Sequence, residues 1–205
     1  LILQSIFPTL WCLKYLLSIT SLCMINFTIL ETKRMILKGI TSEQMKSIFG
    51  EWPKDEIKSL LGHRSEEDYL KEEYKHLNGY STYNRRFLLF LMTDRETGLI
   101  IGRCGFHNWN KDHKRAEIGY AMEDEKFLRK GLMSEAVKAV LQLGFQELEL
   151  NRIEGNVDIL NIPSIKILEK NNFRKEGILR EHVYHSDHFS DSVLYSILQK
   201  EYFLH

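Results

Sequence analysis

The stretch AEIGYAMEDEKFLRKGLMSEA, residues 116–136, indicates which fold this chain adopts. Residues 114–122 alternate between polar and apolar side chains as a β-strand does, and after a polar loop Gly131 begins a helix with a broad apolar stripe. The first amide groups of a helix lack partners within it and attract anions, and Arg129 and Lys130 add positive charge. The pattern therefore favours a pyrophosphate site, and a plain helix start with a glycine is the alternative interpretation.

The composition is that of a globular protein with one domain. The chain has 205 residues, of which 43% are hydrophobic and 27% are charged. Lys plus Arg and Asp plus Glu both total 28, so the formal net charge is zero, which argues against a broad nucleic-acid surface. The sequence contains neither the GxxxxGK[ST] loop of nucleotide triphosphatases nor the GxGxxG turn of dinucleotide-binding folds.

The cysteines indicate a reducing compartment. Cys12, Cys23 and Cys104 are scattered and form no CxxC pair, so neither a structural zinc site nor a disulfide framework is indicated. We therefore predict a cytoplasmic protein with no metal, no membrane association and no direct nucleic-acid partner.

Residues 1–23, LILQSIFPTLWCLKYLLSITSLC, differ in composition from the rest of the chain. Pro8 and Lys14 interrupt the apolar run, whereas a membrane span needs about 20 apolar residues and a signal peptide begins with basic ones. The first methionine is Met24, and an ordinary globular sequence follows it. We predict that residues 1–23 are an extension outside the domain, which arises either from upstream translation or from an artificial addition to the chain. A membrane or export segment is one alternative, and a helix that packs on the domain is another. The domain is predicted to span residues 24–205.

Hydrophobic periodicity from Met24 onwards predicts strands and helices in mixed order. Strands are predicted over residues 27–29, 35–38, 86–93, 99–109, 114–122, 152–157, 173–179 and 192–198. Helices are predicted to begin near Thr41, Ser65, Gly131 and Asn161. Early antiparallel pairs followed by strand–helix–strand–helix–strand indicate an α/β fold with a mixed sheet.

Further motifs extend the pattern in both directions. NIPS stands at 161–164, LEKNNF at 168–173 and EGILR at 176–180. Together with EIGY and KGLMSEA, in this order, they resemble the GNAT superfamily of acetyltransferases, and within it the RimJ/RimL-like branch that acetylates ribosomal-protein N-termini. The resemblance implies a GNAT fold: a mixed, mostly antiparallel central sheet of about seven strands flanked by helices, with splayed strands forming the acetyl-CoA cleft.

The same resemblance implies an acyltransferase that moves an acetyl group from acetyl-CoA to a primary amine by direct attack in a ternary complex. The first choice of acceptor is the N-terminal amine of a ribosomal protein. A small-molecule N-acetyltransferase acting on a polyamine, amino sugar or antibiotic is one alternative, and a non-catalytic acyl-CoA-binding module is another. Family members are often dimers, so a homodimer is an open option.

Site residues follow from the resemblance position by position. The pyrophosphate would be held by backbone amides of Arg129, Lys130, Gly131, Leu132, Met133 and Ser134. The remaining cofactor contacts would come from Tyr120, Met122, Asn156, Asn161 and Ser164. Glu117 is the candidate general base through a water, with a solvated strand carboxylate as the alternative. Ser164 is the candidate acid or sulfur partner, and Tyr120 and Tyr195 are its alternates.

The pyrophosphate loop departs from the superfamily pattern. Leu128 and Arg129 stand where the family has a polar residue and a glycine, and Met133 occupies the last place, as is common in this branch. We therefore expect a somewhat different or weaker cradle, for which the charge of Arg129 compensates.

Other polar and aromatic residues each allow two interpretations. His182, His185 and His188, with Asp187 and Asp191 nearby, either line the acceptor groove or face solvent, and a metal site is disfavoured because a spacing of three residues in a strand or loop does not put them on one face. Three residues after the second strand of the early hairpin either shape acceptor specificity or pack on the sheet edge: His107, Trp109 and His113. Four aromatic residues flank the early helices, which form the acceptor-side wall in similar proteins, although aromatics at helical spacing usually belong to the core: Trp52, Tyr69, Tyr74 and Tyr80. An acidic run either attracts a cationic acceptor or forms a solvated helix face: Glu66, Glu67, Asp68, Glu72 and Glu73.

Overall fold

The computed structural model describes residues 25–78, 86–185 and 187–204. Within these ranges the chain forms eight strands and six α-helices. The strands are β1 (Thr28–Glu31), β2 (Met35–Thr41), β3 (Arg86–Asp94), β4 (Ile100–Asn110), β5 (Arg115–Met122), β6 (Arg152–Asp158), β7 (Arg174–His185) and β8 (His188–Leu198). The helices are α1 (Ser42–Glu51), α2 (Lys54–Leu61), α3 (Glu66–Leu77), α4 (Leu132–Gln146), α5 (Ile162–Lys170) and α6 (Gln199–Tyr202), and a 3-10 turn spans Glu125–Phe127.

All eight strands belong to one sheet in the order β1-β2-β3-β4-β5-β6-β8-β7. Every neighbouring pair is antiparallel except β5 and β6, which run parallel. The prediction of a mixed, mostly antiparallel sheet flanked by helices is thus confirmed, with eight strands against about seven expected.

The predicted helix starts are confirmed by local capping. The side chain of Thr41 accepts a hydrogen bond from Gln44 N, and the Gln44 side chain accepts one from Thr41 N, which is a capping box. Ser65 forms the same arrangement with Asp68 at the start of α3. Asn161 caps α5 through Ser164 N. These contacts lie within three residues, which is why the sequence predicts them.

Two features of the fold differ from the expectations. Helix α2 was not predicted; it begins after Pro53 and ends at Gly62, which has the left-handed φ of 73°. Strands β7 and β8 run well beyond the predicted limits, because after a register shift near Leu179 they pair again up to a tip between His185 and His188. The polar sequence there lacks the alternation that would reveal strands.

Apolar side chains bury both faces of the sheet. Helices α4 and α5 cover one face, where Phe106 and Val140 belong to the larger core. Helices α1–α3 cover the other, where Ile48 and Leu91 belong to a second core. The prediction for residues 1–23 lies outside the described residues. Within the described ranges, no helix has the length and apolar character needed to cross a membrane.

Candidate active site

The sheet opens at its parallel pair. Strands β5 and β6 pair only from Arg115 with Arg152 to Glu117 with Glu154, and beyond that point they diverge. The opening holds a cleft of about 220 Å³. Its lining residues are His107, Glu117, Ile118, Gly119, Tyr120, Gly155, Asn156, Val157, Asn161, Ser164 and Leu168. Five residues predicted from the sequence for catalysis or cofactor binding therefore lie together: Glu117, Tyr120, Asn156, Asn161 and Ser164.

Glu117 lies at the last position of β5 that pairs with β6, and three side-chain nitrogen atoms contact its carboxylate. Asn108 Nδ2 donates to Oε2 at 2.8 Å, and Asn156 Nδ2 donates to Oε1 at 3.1 Å. His107 Nε2 lies 3.4 Å from Oε1. Burial raises the pKa of Glu117, but the hydrogen bonds from His107, Asn156 and Asn108 outweigh it, so the pKa lies below the ordinary value of 4.5. The carboxylate is therefore ionised at neutral pH.

An irregularity in β4 brings two consecutive side chains to this carboxylate. In a regular strand, successive side chains point to opposite faces, so His107 and Asn108 could not both reach Glu117. The register between β4 and β5 shifts between His107 and Asn110, and Asn108 has a φ of 51°. Asparagine tolerates this left-handed conformation better than most residues do. The bulge therefore forms part of the site, and no signal in the sequence pointed to it.

The opposite wall of the cleft is the start of α5. Tyr120 Oη donates to Ser164 O at 3.1 Å, and Asn161 Oδ1 accepts from Ser164 N at 3.2 Å. Burial raises the pKa of Tyr120 to about 12, so its phenol stays protonated at neutral pH. Tyr195, the other alternate, donates to Glu169 Oε1 at 3.2 Å and is absent from the residues that line the cleft.

The predicted pyrophosphate loop leads into α4 through two left-handed residues. Arg129 has a φ of 59° and Gly131 a φ of 76°, so an arginine adopts the conformation for which the family pattern has a glycine. Gly131 has no side chain to cap α4, which leaves the first amides of the helix to another acceptor. Leu132 and Met133 are buried in the core, so these two residues offer only backbone groups to a ligand.

Arg34, in the turn between β1 and β2, forms hydrogen bonds to this loop and to α4. No sequence motif pointed to Arg34. Its Nη1 donates to Lys130 O at 2.8 Å, and its Nε donates to Glu135 Oε2 at 2.8 Å. Arg34 N also donates to Glu135 Oε1 at 2.9 Å. The two partners are about a hundred positions away in the sequence, so no local pattern could have revealed the contact.

The acidic side chains of α3 form ion pairs or hydrogen bonds with neighbouring side chains of the protein. Glu72 is buried and lies 3.1 Å from Nη1 of Arg103, and Glu73 accepts from Tyr69 Oη at 2.7 Å. Asp68 forms the capping box described above. The exposed acids pair with lysines: Glu66 with Lys54 and Lys58, and Glu67 with Lys71. These contacts favour a structural role for the run over attraction of a cationic acceptor.

The remaining aromatic candidates divide between core and surface. Trp52 and Tyr69 pack in the second core, as a structural role requires, whereas the side chain of Tyr74 is 67% exposed. Trp109 packs against the larger core and carries Lys111 Nζ at 5.1 Å from its ring centre. Tyr80 lies outside the described residues.

The histidines outside the cleft show no convergence. His113 is exposed in the turn after β4, and His182 is exposed on β7. His188 Nδ1 lies 2.9 Å from Asp187 Oδ1 at the hairpin tip. Within the described part of the chain, no group of three or more His, Cys, Asp or Glu side chains is arranged to hold a metal ion. Met122, at the end of β5, packs against the larger core and does not line the cleft.

Comparison with known proteins gives these features a family. Residues 34–174 match the family model of the acetyltransferase (GNAT) domain. The uncharacterized N-acetyltransferase YoaA of Bacillus subtilis is 34% identical over 175 residues, which cover 84% of this chain and 98% of that protein. The ribosomal-protein-serine acetyltransferase of Escherichia coli is 29% identical over 121 residues, covering 59% of this chain and 63% of that protein.

Solved structures share the fold. A GNAT-family acetyltransferase from Bacillus anthracis superposes with a TM-score of 0.61 and 24% identity, covering 85% of this chain and 100% of that one. Mutant forms of the spermidine/spermine N-acetyltransferase SpeG from Vibrio cholerae superpose with a TM-score of 0.62 and 20% identity, covering 84% of this chain and 98% of that one. At these identities the likeness concerns the fold alone.

A sheet that opens at its one parallel pair, together with a helix start that has no side-chain cap, is the architecture that this chain shares with the solved acetyltransferase structures. The chain belongs to the GNAT acetyltransferase family and is an N-acetyltransferase. Enzymes of this family take the acetyl group from acetyl-CoA.

Proposed function

We propose that this enzyme binds acetyl-CoA in the opening between β5 and β6 and transfers the acetyl group to the N-terminal amine of a protein, as the RimJ/RimL-like branch does. The observation that carries the first part is the divergence of the two strands directly after Glu117, and α4, the next α-helix after β5, begins without a side-chain cap. The pyrophosphate would lie against the amides of residues 129–134, with Arg129 and Lys130 exposed beside it.

The residues of the cleft supply what acetyl transfer requires. The amine must lose a proton before it can attack the thioester carbonyl, and the leaving sulfur must gain one. Glu117 is ionised and within the cleft, which supports its role in deprotonation, directly or through a neighbour or water. Ser164 lines the opposite wall and is the candidate partner of the sulfur. Tyr120 fixes the wall by its hydrogen bond to Ser164 O.

The acceptor is proposed on two grounds. The E. coli relative named above is a ribosomal-protein-serine acetyltransferase, which favours a protein acceptor. A polyamine acceptor, as named for SpeG, would be attracted by free carboxylates, whereas the acids of α3 pair with Arg103, with lysines or with Tyr69. A cytoplasmic location and dimer formation stay predictions from the sequence.

Thiol release from acetyl-CoA tests the proposal. The panel comprises peptides starting with Ser or Ala, spermidine, and an aminoglycoside, with binding of CoA measured separately by calorimetry. We expect turnover with the peptides. Turnover with spermidine or the aminoglycoside alone would overturn the protein acceptor, and a protein that binds CoA but turns over no amine would point to a binding module.

The Glu117→Gln variant tests the site itself. We expect it to bind CoA as the wild type does and to lose roughly a hundredfold in turnover at pH 7, the range typical of acid–base groups. Glu154→Gln is the matched control, because Glu154 faces Glu117 in the register but pairs with Arg115 and Arg152. Equal turnover of both variants would remove Glu117 from the mechanism.

A further inference from the structure

We infer that His107 is the group that takes the proton from the acceptor amine, and that Glu117 is the positioning residue that orients its imidazole. The inference rests on the proposed acetyl transfer and assigns the base within it.

The hydrogen bonds of Glu117 favour this assignment. Both carboxylate oxygens are engaged, Oε2 by Asn108 and Oε1 by Asn156, and the side chain is only 16% exposed. A carboxylate that accepts several hydrogen bonds is stabilised as an anion, and its lowered pKa makes it a weak base. The carboxylate of Glu117 is therefore suited to keep its negative charge at a fixed position.

His107 is the more accessible member of the pair. Its side chain is 37% exposed and lines the cleft. Nε2 faces Glu117 Oε1, so a proton on Nε2 leaves Nδ1 with its lone pair free to accept another proton. An anion behind the ring stabilises the imidazolium that forms, as in a carboxylate–histidine pair.

Gly119 makes room for the ring. It lies beside Glu117 on the same face of β5, and a Cβ at this position would come within 2.9 Å of His107 Cε1 and 3.0 Å of Nδ1. Any other residue at this position would force the imidazole to shift. The bulge at His107 and Asn108 and the glycine opposite therefore act together to place the imidazole against Gly119 in the lining of the cleft.

The proposed reaction removes two protons from the acceptor ammonium. The acceptor ammonium gives one proton to Nδ1 of neutral His107. The amine nitrogen then forms a bond to the thioester carbonyl carbon, and the carbon–sulfur bond breaks with its electron pair on sulfur. The second amine proton goes to the sulfur to give the thiol, and the imidazolium returns its proton to water.

Few other groups can titrate in this cleft. Among the described residues that line it, the titratable ones are His107, Glu117 and Tyr120. Strand β6 and helix α5 present Asn156, Asn161 and Ser164, which do not titrate in the neutral range. A histidine that acts as the base predicts an acidic limb in the rate profile, because the imidazole must be neutral to accept the proton.

The kinetic test compares pH profiles of kcat/KM for whichever amine the wild type acetylates. We expect His107→Gln to lose about a hundredfold and to lose the acidic limb, and Glu117→Gln to keep the limb but move it to lower pH. His113→Gln, an exposed histidine outside the cleft, is the control and should match the wild type. If Glu117→Gln abolishes the limb while His107→Gln only shifts it, the carboxylate is the base and the inference fails.

A second test needs no acceptor and so separates this inference from the proposed function. Long-range proton–nitrogen NMR of histidine-labelled protein reports which ring nitrogen carries the proton. We expect the Nε2-protonated tautomer for His107 in the wild type and a mixture of tautomers in Glu117→Gln, with assignment by loss of the signal in His107→Gln. An Nδ1-protonated ring, or a tautomer that Glu117→Gln leaves unchanged, would overturn the assignment.

Discussion

At the scale of single residues, the site depends on a few side chains whose polar groups are matched to one anion. The contact of Asn108 with Glu117 has an energetic cost. Among the described residues, the Oδ1 atom of Asn108 is buried without a hydrogen-bond partner, and the backbone of Asn108 is left-handed. An unpartnered buried oxygen costs about 1–3 kcal/mol. Such local costs persist where a function depends on them, which fits the position of Asn108 next to the carboxylate.

The Asn108→Gly variant tests this contact. Glycine keeps the φ of 51° without strain but removes the donor, so the carboxylate of Glu117 loses its hydrogen bond from Asn108. We expect an unchanged fold by circular dichroism and roughly a tenfold loss of kcat/KM, the value of a hydrogen bond to a charged group. Asn172→Gly, at a φ of 62° outside the cleft, is the control and should keep full turnover.

At the scale of elements, the loop before α4 combines strain with charge. Arg129 at a φ of 59° costs about 1–2 kcal/mol relative to glycine. We expect Arg129→Gly to raise the free energy of unfolding by roughly 1 kcal/mol and to raise KM for acetyl-CoA about two- to fivefold, because an exposed charge near a helix start contributes modestly.

Arg129→Lys separates the two effects, since lysine keeps both the charge and the strained backbone. It should show the stability and the KM of the wild type. An unchanged KM in Arg129→Gly, measured at low salt where screening is weakest, would show that the charge of Arg129 does not contribute to acetyl-CoA binding.

Helix α4 packs closely on the sheet through Gly144. A Cβ there would lie 2.7 Å from Cζ of the buried Phe106 and 3.0 Å from Cδ1 of Ile153. We expect Gly144→Ala to lower the free energy of unfolding by about 1–2 kcal/mol, because overpacking outweighs the gain in helix propensity. The measurement is urea denaturation.

Gly50, in α1, provides the matched control. A Cβ there would meet nothing within 4 Å, so Gly50→Ala should raise the free energy of unfolding by about 0.5–1 kcal/mol. If both alanine variants moved the stability in the same direction, close packing at Gly144 would not be the deciding factor.

At the scale of the whole molecule, several carboxylates set the response to acid. Glu117, Glu135 and Glu43 all have a pKa below the ordinary value of 4.5 in the folded protein; for Glu117 and Glu135, burial opposes this, but hydrogen bonds prevail. A carboxylate whose pKa is lower when folded stabilises the fold above its unfolded pKa, and this contribution is lost as the pH falls through the folded value. We therefore expect the free energy of unfolding to fall below pH 4.5.

The Glu117→Gln variant isolates one part of this acid response. The difference in unfolding free energy between the wild type and Glu117→Gln should shrink as the pH drops from 7 to below 4.5, because the wild-type carboxylate becomes protonated and neutral there. Chemical denaturation at several pH values measures it. A difference that stays constant with pH would show that the carboxylate has the same pKa in both states.

Local contacts explain how much of this molecule is predictable from its sequence. The helix starts at Thr41, Ser65 and Asn161 depend on residues three positions apart, and the motif around Gly131 lies within one loop. The GNAT motifs therefore located the cleft and most of its lining. The bulge that turns His107 and Asn108 to one carboxylate arises from cross-strand register, which no local pattern encodes.

The contact of Arg34 with Glu135 shows the same limit over a longer distance. It joins the first hairpin to the fourth helix, and each residue taken alone is typical of an exposed turn or a first helical turn. Only the sheet order β1-β2-β3-β4-β5, with α4 packed across it, brings them together.

Beyond Glu117 and Glu154, the backbones of β5 and β6 are two strand edges that face each other across the cleft. Strand edges with free N–H and C=O groups are templates for association with other chains, and proteins usually cover them. Acetyl-CoA bound as proposed covers both edges at once. We therefore expect the protein without its co-substrate to be the form more prone to aggregation, so that the supply of acetyl-CoA would influence solubility as well as turnover.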